Sequence, residues 1–588
     1  MILQALYALY GRLKDDPAYE IAPPGYSLQK ITFKVVLRPD GTLLDIQDVR
    51  IQGRPRPVQV LGSAKPSGIG LNPCFLWDNT GYMLGFKPDD EDPERSRLSF
   101  EAFRKRHLDV ESSINAPAFS SVCRFLGNWS PDRASEFPLL NEIKSGFGVF
   151  QHVGEERFIH QDPVIDAWWR KHLKETEEPG PEGECLLTGR WKPIARLQPM
   201  IKGVASANAQ ASLVGFNDPA YWSYGKEQSF NAPVSEEAAF EYGSSLNSML
   251  DGPMKSKHRM LLADGTVAFW TDKPSLTEDI FAQFAEHGSQ SGASEESQDE
   301  GLLHKLEIFL RALRQGVERY SDVDEKPDQT RFYLLGLSPN QGRLSVRFFL
   351  QGTIRELLDN LRKHYRDTGI ERQYGEGSKR PDPEFPTTRQ LLDETCPRDP
   401  KTHKPDRDKI PPILSGPLLR AVITGSLYPD GLYAAVIRRI HADREINYPR
   451  ASIIIGWLWR NHKKEVSMCL DEERTDPAYR LGRLFSALEK TQEDVLGSLN
   501  ASIRDRFYGA ASATPQSVFP RLLRTYQHHL SKMEGGLKVN REKLVQEILC
   551  PVSAFPAHLN LAEQGLFALG YYHQRHAFFQ KKGTGSEN

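Results

Sequence analysis

Ile2, Leu3, Leu6, Leu9, Tyr10 and Leu13 recur at three- and four-residue spacing, which predicts an amphipathic first helix. Beyond it the period shortens. ITFKVVLRPDGTLLDIQDVR reads as a β-hairpin whose two apolar runs flank Pro39-Asp40-Gly41, with Gly supplying the positive φ of a tight turn. FLWDNTGYMLGF reads as a further short strand pair turning near Asn79. Residues 98–127 carry mixed helical spacing, and Phe147, Val149 and Val153 alternate with small or polar positions as in a strand. RFYLLGLSPNQGRLSVRFFLQGTIRELLDNLRKHYRD predicts a hairpin around Pro339-Asn340 that feeds straight into a helix. Thr353 is its expected N-cap, and Glu356 completes a capping box. From Leu414 onward nearly every segment has helical spacing, with Pro449, Pro515, Pro520, Pro551 and Pro556 at expected helix ends.

These patterns predict an α+β chain. A mixed N-terminal part of short strands and hairpins covers 1–285, a middle part 286–412, and an all-α helical bundle 413–588. SQSGASEESQDE, between Gly288 and Gly301, is too polar to repay the entropy of ordering and is expected to be a linker. The Pro- and charge-rich stretch up to Pro412 is expected to be an ordered surface loop. No fixed-period repeat points to a solenoid.

Composition sets limits. No run of about 18 apolar residues occurs, so no membrane-spanning helix is expected. The N-terminus lacks the basic start and cleavage site of a signal peptide, and the six cysteines are scattered without a C-x-x-C pair. Together these lead us to expect a cytoplasmic protein. Lys and Arg total 75 against 77 Asp and Glu, and the net charge of −2 gives by itself no reason to expect a nucleic acid. Regional counts differ: residues 340–467 hold 23 Lys and Arg against 16 acids, whereas 281–330 hold 5 against 11. The chain average hides a concentrated basic excess.

Phosphate-loop, dinucleotide, nucleophile-elbow and H-E-x-x-H motifs are absent. His573 and His576 lie three apart on an expected helix but have no acidic third ligand at matching spacing, so no metal or other cofactor is expected. Asp406, Asp408 and Lys409 supply the residue types of a metal-dependent nuclease without its strand context or separate acid. Three segments remain. Strand alternation puts Arg343, Ser345 and Arg347 on one face, with Leu344, Val346 and Phe348 toward the core. That face would either hold a phosphate backbone or have its charges met by acids elsewhere. The loop Gln52–Pro73 carries Arg54, Arg56 and Lys65 among glycines and prolines, with Ser67, Asn72 and then Asn79. Gly permits close approach to a groove, cations attract phosphate, and Ser or Asn reads base edges; an ordinary surface loop is the alternative. Residues 200–236, with Lys202, Asn208, Gln210, Asn217, Tyr224, Lys226 and Asn231, suit a polar binding surface or an irregular loop held by its own hydrogen bonds.

Longer blocks carry a resemblance. In order from residue 1 to about 580 they are MILQALYALYGRL, NPCFLWDNTGYMLG, CLLTGR with IKGV and GFNDPAYWSYGKEQSFNAPVSEEAAFEYGSSLN, FYLLGLSPNQGRLSVRFF, AYRLGRLFSALEKTQ, FYGAASATPQSVFP and EQGLFALGYYHQRHAFF. The chain resembles the large subunit of the type I-C CRISPR-associated surveillance complex, Cascade. Gln198 departs from the pattern, since a His is expected nearby. The resemblance implies a non-catalytic subunit that caps a crRNA-bound filament near its 5′ handle and recognises a protospacer-adjacent motif in target double-stranded DNA. It further implies help in opening the duplex and support of the displaced strand of the R-loop. Implied partners are the Cascade backbone and small subunits and a helicase-nuclease recruited after target binding in antiviral defence, with no membrane. Within that role, side-chain chemistry selects Lys65, Ser67, Asn72 and Asn79 for the motif and Arg54, Arg56, Lys202, Lys226, Arg343 and Arg347 for phosphates. The C-terminal helices resemble a Cascade small subunit, a bundle that this family also makes by internal translation, and Met468 is placed to start such a product. The alternatives are a metal-dependent nuclease and a scaffold that contacts only protein.

Overall fold

The computed structural model describes residues 1–588 apart from 63–69, 89, 91, 177–180, 208–210, 217, 263–264, 287–308, 310, 313–319, 341–342, 376–377, 379–380, 385, 498–500 and 581–588. Lys65, Ser67, Asn208, Gln210, Asn217 and the expected linker between Gly288 and Gly301 lie outside the described residues. The chain forms two compact units, the first comprising residues 1–255 and 339–345, the second 256–338 and 346–588.

In the first unit, α1 (Ile2–Leu13) buries Leu6, Leu9, Tyr10 and Leu13, the face its spacing predicts. The sheet is organised by β1 (Tyr26–Leu37), whose 12 residues are enough to serve three partners. Its C-terminal half pairs antiparallel with β2 (Leu43–Asp48) through the expected hairpin, where Gly41 has φ +88°. Its N-terminal half pairs antiparallel with β3 (Arg56–Leu61). β4 (Trp77–Asn79) lies antiparallel to β5 (Phe147–His152), which in turn runs parallel to β1. FLWDNTGYMLGF is therefore not a strand pair. Asn79 ends β4 and caps α2 (Thr80–Leu84), its Oδ1 accepting the Tyr82 N–H at 3.2 Å, and this cap chemistry overrides the β preference of the flanking aromatics. The residues 98–127 with helical spacing fall in α3 (Pro93–Val110) and α4 (Pro117–Asn128), and α5 (Pro163–Thr176) follows β5. Phe33, Val35 and Leu37 of β1 share one core with Phe103, Phe119, Phe125 and Trp169 of these helices. Further along the chain β6 (Glu182–Glu184) pairs antiparallel with β7 (Trp191–Pro193), and α1 packs on α6 (Glu236–Asp251), Tyr10 standing edge-on to Phe240 at 6.1 Å.

The second unit contains a sheet in the order β11-β10-β9-β8, made of β8 (Arg259–Leu262), β9 (Gly265–Thr271), β10 (Arg331–Asn340) and β11 (Arg343–Thr353). α7 (Thr277–Glu286) follows β9. α8 (Ile354–Asp367) continues from β11 under the predicted capping box: Glu356 N–H donates to Thr353 Oγ1 at 3.3 Å, and Thr353 N–H to Glu356 Oε2 at 2.9 Å. One expectation fails on β11. Leu344 and Phe348 are buried, but Val346 is 43% exposed, because β11 is the outermost strand of its sheet and is only partly covered.

The remaining helices are α9 (Thr388–Asp393), α10 (Ser415–Thr424), α11 (Asp430–Asp443), α12 (Tyr448–His462), α13 (Pro477–Leu496), α14 (Ile503–Ala513), α15 (Pro515–Leu530), α16 (Gly535–Leu549) and α17 (Leu561–Phe579). A single apolar cluster extends from Met260 on β8 to Tyr572 on α17. Pro520 does not end a helix. It lies inside α15, where burial of Val518, Phe519 and Leu522 carries the helix past the one lost hydrogen bond. α13 and α17 meet backbone to backbone, since a Cβ on Gly482 would overlap the Phe567 carbonyl and one on Gly570 the Tyr479 carbonyl. Among the described residues no helix is long and apolar enough to cross a membrane.

Candidate nucleic-acid interface

The residues that flank 63–69 are hydrogen-bonded on both sides. Before it, Ser27 Oγ donates to the Gly62 carbonyl at 2.7 Å, Gly62 N–H to the Gly25 carbonyl at 2.8 Å, and Trp77 Nε1 to the Leu61 carbonyl at 2.7 Å. After it, Asn72 N–H donates to Tyr82 Oη at 3.2 Å and Arg106 donates to the Pro73 carbonyl. Cys74 N–H then reaches Asp78 Oδ2, and Leu76 N–H reaches His107 Nε2, each at 2.9 Å. Leu76 has φ +62°, a conformation side chains other than Gly rarely adopt, so His107 holds a strained turn in place. His107 Nδ1 lies 2.7 Å from the Phe103 carbonyl, which puts the ring proton on Nδ1 and leaves Nε2 to accept. Burial pushes its pKa down to about 3, so the imidazole stays neutral. Phe75 stacks on His107 at 5.1 Å and on Trp169 at 5.3 Å. The residues on either side, 61–62 and 72–76, are thus held in place by hydrogen bonds.

Asn72 and Asn79 are brought together by Tyr82, which takes the N–H of the first on its hydroxyl and gives its own N–H to the side chain of the second. Asn72 is exposed, whereas Asn79 is half-buried with its amide oxygen engaged as a cap. Arg54 closes a two-residue turn with Ile51, where Gln52 and Gly53 have φ +51° and +75°, and it is exposed like Arg56 at the start of β3. Sequence reading missed the cations of α3. Arg95 donates to the Gly70 carbonyl at 3.4 Å, Arg106 holds Pro73, and Arg97 and Lys105 are exposed. The run of basic residues in PERSRLSFEAFRKRH was the available signal.

A second group forms in the same unit. Met200 bridges Ser212, which bridges Arg343, and the Leu344 N–H donates to the Ser212 carbonyl at 3.0 Å. Exposed Lys202 and half-buried Arg343 thus come onto neighbouring segments. The Arg343 guanidinium lies 4.4 Å from the Tyr221 ring centroid and donates to its hydroxyl at 2.6 Å. Lys226 is exposed at the end of a turn from Ser223. Gln198 is buried, its Oε1 accepting the Tyr242 hydroxyl at 2.7 Å. In the second unit, exposed Arg347 donates to Ser338 Oγ at 2.7 Å. Among the described residues the partners of both strand arginines are thus hydroxyls and a ring.

Residues 6–579 match the family model described as CRISPR-associated protein (Cas_Csd1). The chain belongs to this family. No curated protein matches it. Cas_Csd1 is the family of the type I-C Cascade large subunit, a structural component of a multi-subunit CRISPR complex. In this Cas_Csd1 chain Lys409 pairs with Asp406 at 2.8 Å and Arg407 with Asp393 at 2.9 Å. Among the described residues no group of three or more His, Cys, Asp or Glu is placed to hold a metal. His573 is buried against the Tyr479 hydroxyl at 2.8 Å, and His576 pairs with Glu371 at 3.3 Å. Met468 is exposed between α12 and α13, its carbonyl accepting the Glu371 N–H at 2.9 Å.

Proposed function

We propose that this Cas_Csd1 chain recognises a protospacer-adjacent motif in target double-stranded DNA through residues 62–79, helps open the duplex and supports the displaced strand of a crRNA-guided R-loop. The observation that carries this reading is the anchored base on both sides of a segment containing Lys65 and Ser67. A groove-reading loop must offer polar groups to base edges from a fixed register, and cations around it supply sequence-independent grip. Lys65, Ser67, Asn72 and Asn79 read the motif, while Arg54, Arg56 and the exposed cations of α3 hold phosphates. Lys202, Lys226, Arg343 and Arg347 hold the backbone of DNA or of the crRNA 5′ handle. Motif recognition belongs to 1–285, the connecting hairpin and helix to 286–412, and the small-subunit-like bundle to 413–588. The complex acts in the cytoplasm and hands its target to a helicase-nuclease.

Combined Lys65→Ala, Ser67→Ala and Asn72→Ala substitutions in the assembled complex should weaken binding to motif-bearing duplex by about 100-fold. Binding to a pre-opened target should change little, and an equal effect on both substrates, or none, overturns the reading. Met468 starts a separate product running to Asn588. Its replacement by Leu should remove a short C-terminal band from an immunoblot, and persistence of that band excludes this start.

A further inference from the structure

Residues 218–227 are exposed without interruption, and three of them are large aromatics. Tyr221 is 42%, Trp222 38% and Tyr224 100% exposed. Tyr224 is also placed in an unfavourable backbone. Ser223 and Lys226 pair across a two-residue turn in which Tyr224 and Gly225 have φ +53° and +69°. Such turns favour Asn-Gly, because a tyrosine at positive φ crowds its own carbonyl. The turn is nevertheless firmly held. Asn231 Oδ1 accepts the Ser223 N–H at 2.8 Å, and its Nδ2 donates to the carbonyls of Lys226 at 2.8 Å and Gln228 at 2.9 Å. Asp218, one of the loop's two acids, has its carboxylate engaged by the Ala220 N–H at 2.9 Å. The fold thus maintains a strained turn whose side chain contributes nothing to the core. Strain of this kind persists where the displayed group has a task.

We propose that Tyr224, with Tyr221 and Trp222, is a stacking platform for unpaired bases of the displaced DNA strand, with Lys226 and Arg343 beside it for the phosphates. Aromatic rings accept the face of any base, so this contact is blind to sequence. That suits a displaced strand, whose sequence changes with every target, better than a guide handle of constant sequence. The inference rests on the reading of this chain as a support for opened DNA, and it does not depend on which residues read the motif.

The test uses the assembled complex with 2-aminopurine at successive positions of the displaced strand. Tyr224→Asn removes the ring while suiting the positive φ, so the turn is kept. In the unsubstituted complex one position should be quenched by stacking, and Tyr224→Asn should release that quenching. Affinity for a bubble target with its displaced strand should fall about 10-fold, with no change when that strand is omitted. Tyr224→Phe should behave as the unsubstituted protein. Unchanged fluorescence and affinity overturn the proposal. A response from 2-aminopurine in the guide RNA alone, or failure of the variant to assemble, overturns it in favour of an RNA or a subunit contact. If Tyr224→Asn acts as expected while the Lys65, Ser67 and Asn72 substitutions do not discriminate between duplex and pre-opened targets, only the motif assignment falls.

Discussion

Arg460→Ala should destabilise the second unit by about 3–5 kcal/mol, read as a shift in its urea unfolding transition. Arg460 and Asp367 are both buried, with Nε donating to Asp367 Oδ2 at 2.8 Å. One NH1 group also donates to the carbonyls of Ala421 at 2.8 Å and Ser426 at 3.0 Å, and the guanidinium lies 4.1 Å from the Tyr428 ring centroid. Truncation therefore strands two carbonyls and most of the compensation for a buried carboxylate. Arg366 reaches Asp367 Oδ1 at 3.3 Å, but from an exposed position where screening weakens it. The loss comes chiefly from the carboxylate left behind, so pairing Arg460→Met with Asp367→Leu should recover much of it. A transition within 1 kcal/mol of the unsubstituted protein for Arg460→Ala would contradict this account.

Gly482→Ala is expected to cost about 3 kcal/mol or more, although it adds a single methyl group. The added carbon would overlap the Phe567 carbonyl, and backbone cannot rotate aside as a side chain can. Gly570→Ala meets the Tyr479 carbonyl across the same contact, so the double variant should cost less than the sum of the two, because the first methyl already separates α13 from α17. Full additivity in denaturant titrations would mean the two glycines do not share one contact. Gly11 on α1, with nothing within 4 Å of an added Cβ, supplies a control position.

Local signals were legible in the sequence. The buried face of α1, the turn at Gly41 and the capping box of Thr353 and Glu356 depend on residues within a turn or two of each other. What escaped depends on distant partners. Nothing near Phe147 indicates that its strand will run parallel to β1, and nothing near Leu76 indicates that His107 will accept its N–H. Pro520 read as a breaker because its cost is local while the burial that offsets it is tertiary. The candidate site divides in the same way. Strand alternation singled out Arg343, and local composition Lys202 and Lys226, but the Tyr221 ring beneath Arg343 and the bridges through Ser212 required the fold. Asn79 was chosen for its amide, and a three-residue spacing to Tyr82 engages that amide as a cap.

The enclosure of α17 bears on any chain that starts at Met468. Gly565 through Gln574 are buried in succession, with α13 on one side. On the other side the Tyr433 hydroxyl fills the space beside Gly565 and donates to the Leu561 carbonyl at 2.9 Å, and Tyr572 donates to the Glu371 carbonyl at 2.7 Å. Tyr433 and Glu371 precede Met468. A product beginning there would keep the α13 contact and lose the other cover, exposing a flank of α17 with Tyr572 that the longer chain keeps buried. Its colloidal behaviour would then depend on finding a substitute wall, which makes such a fragment an obligate associate rather than a free-standing bundle.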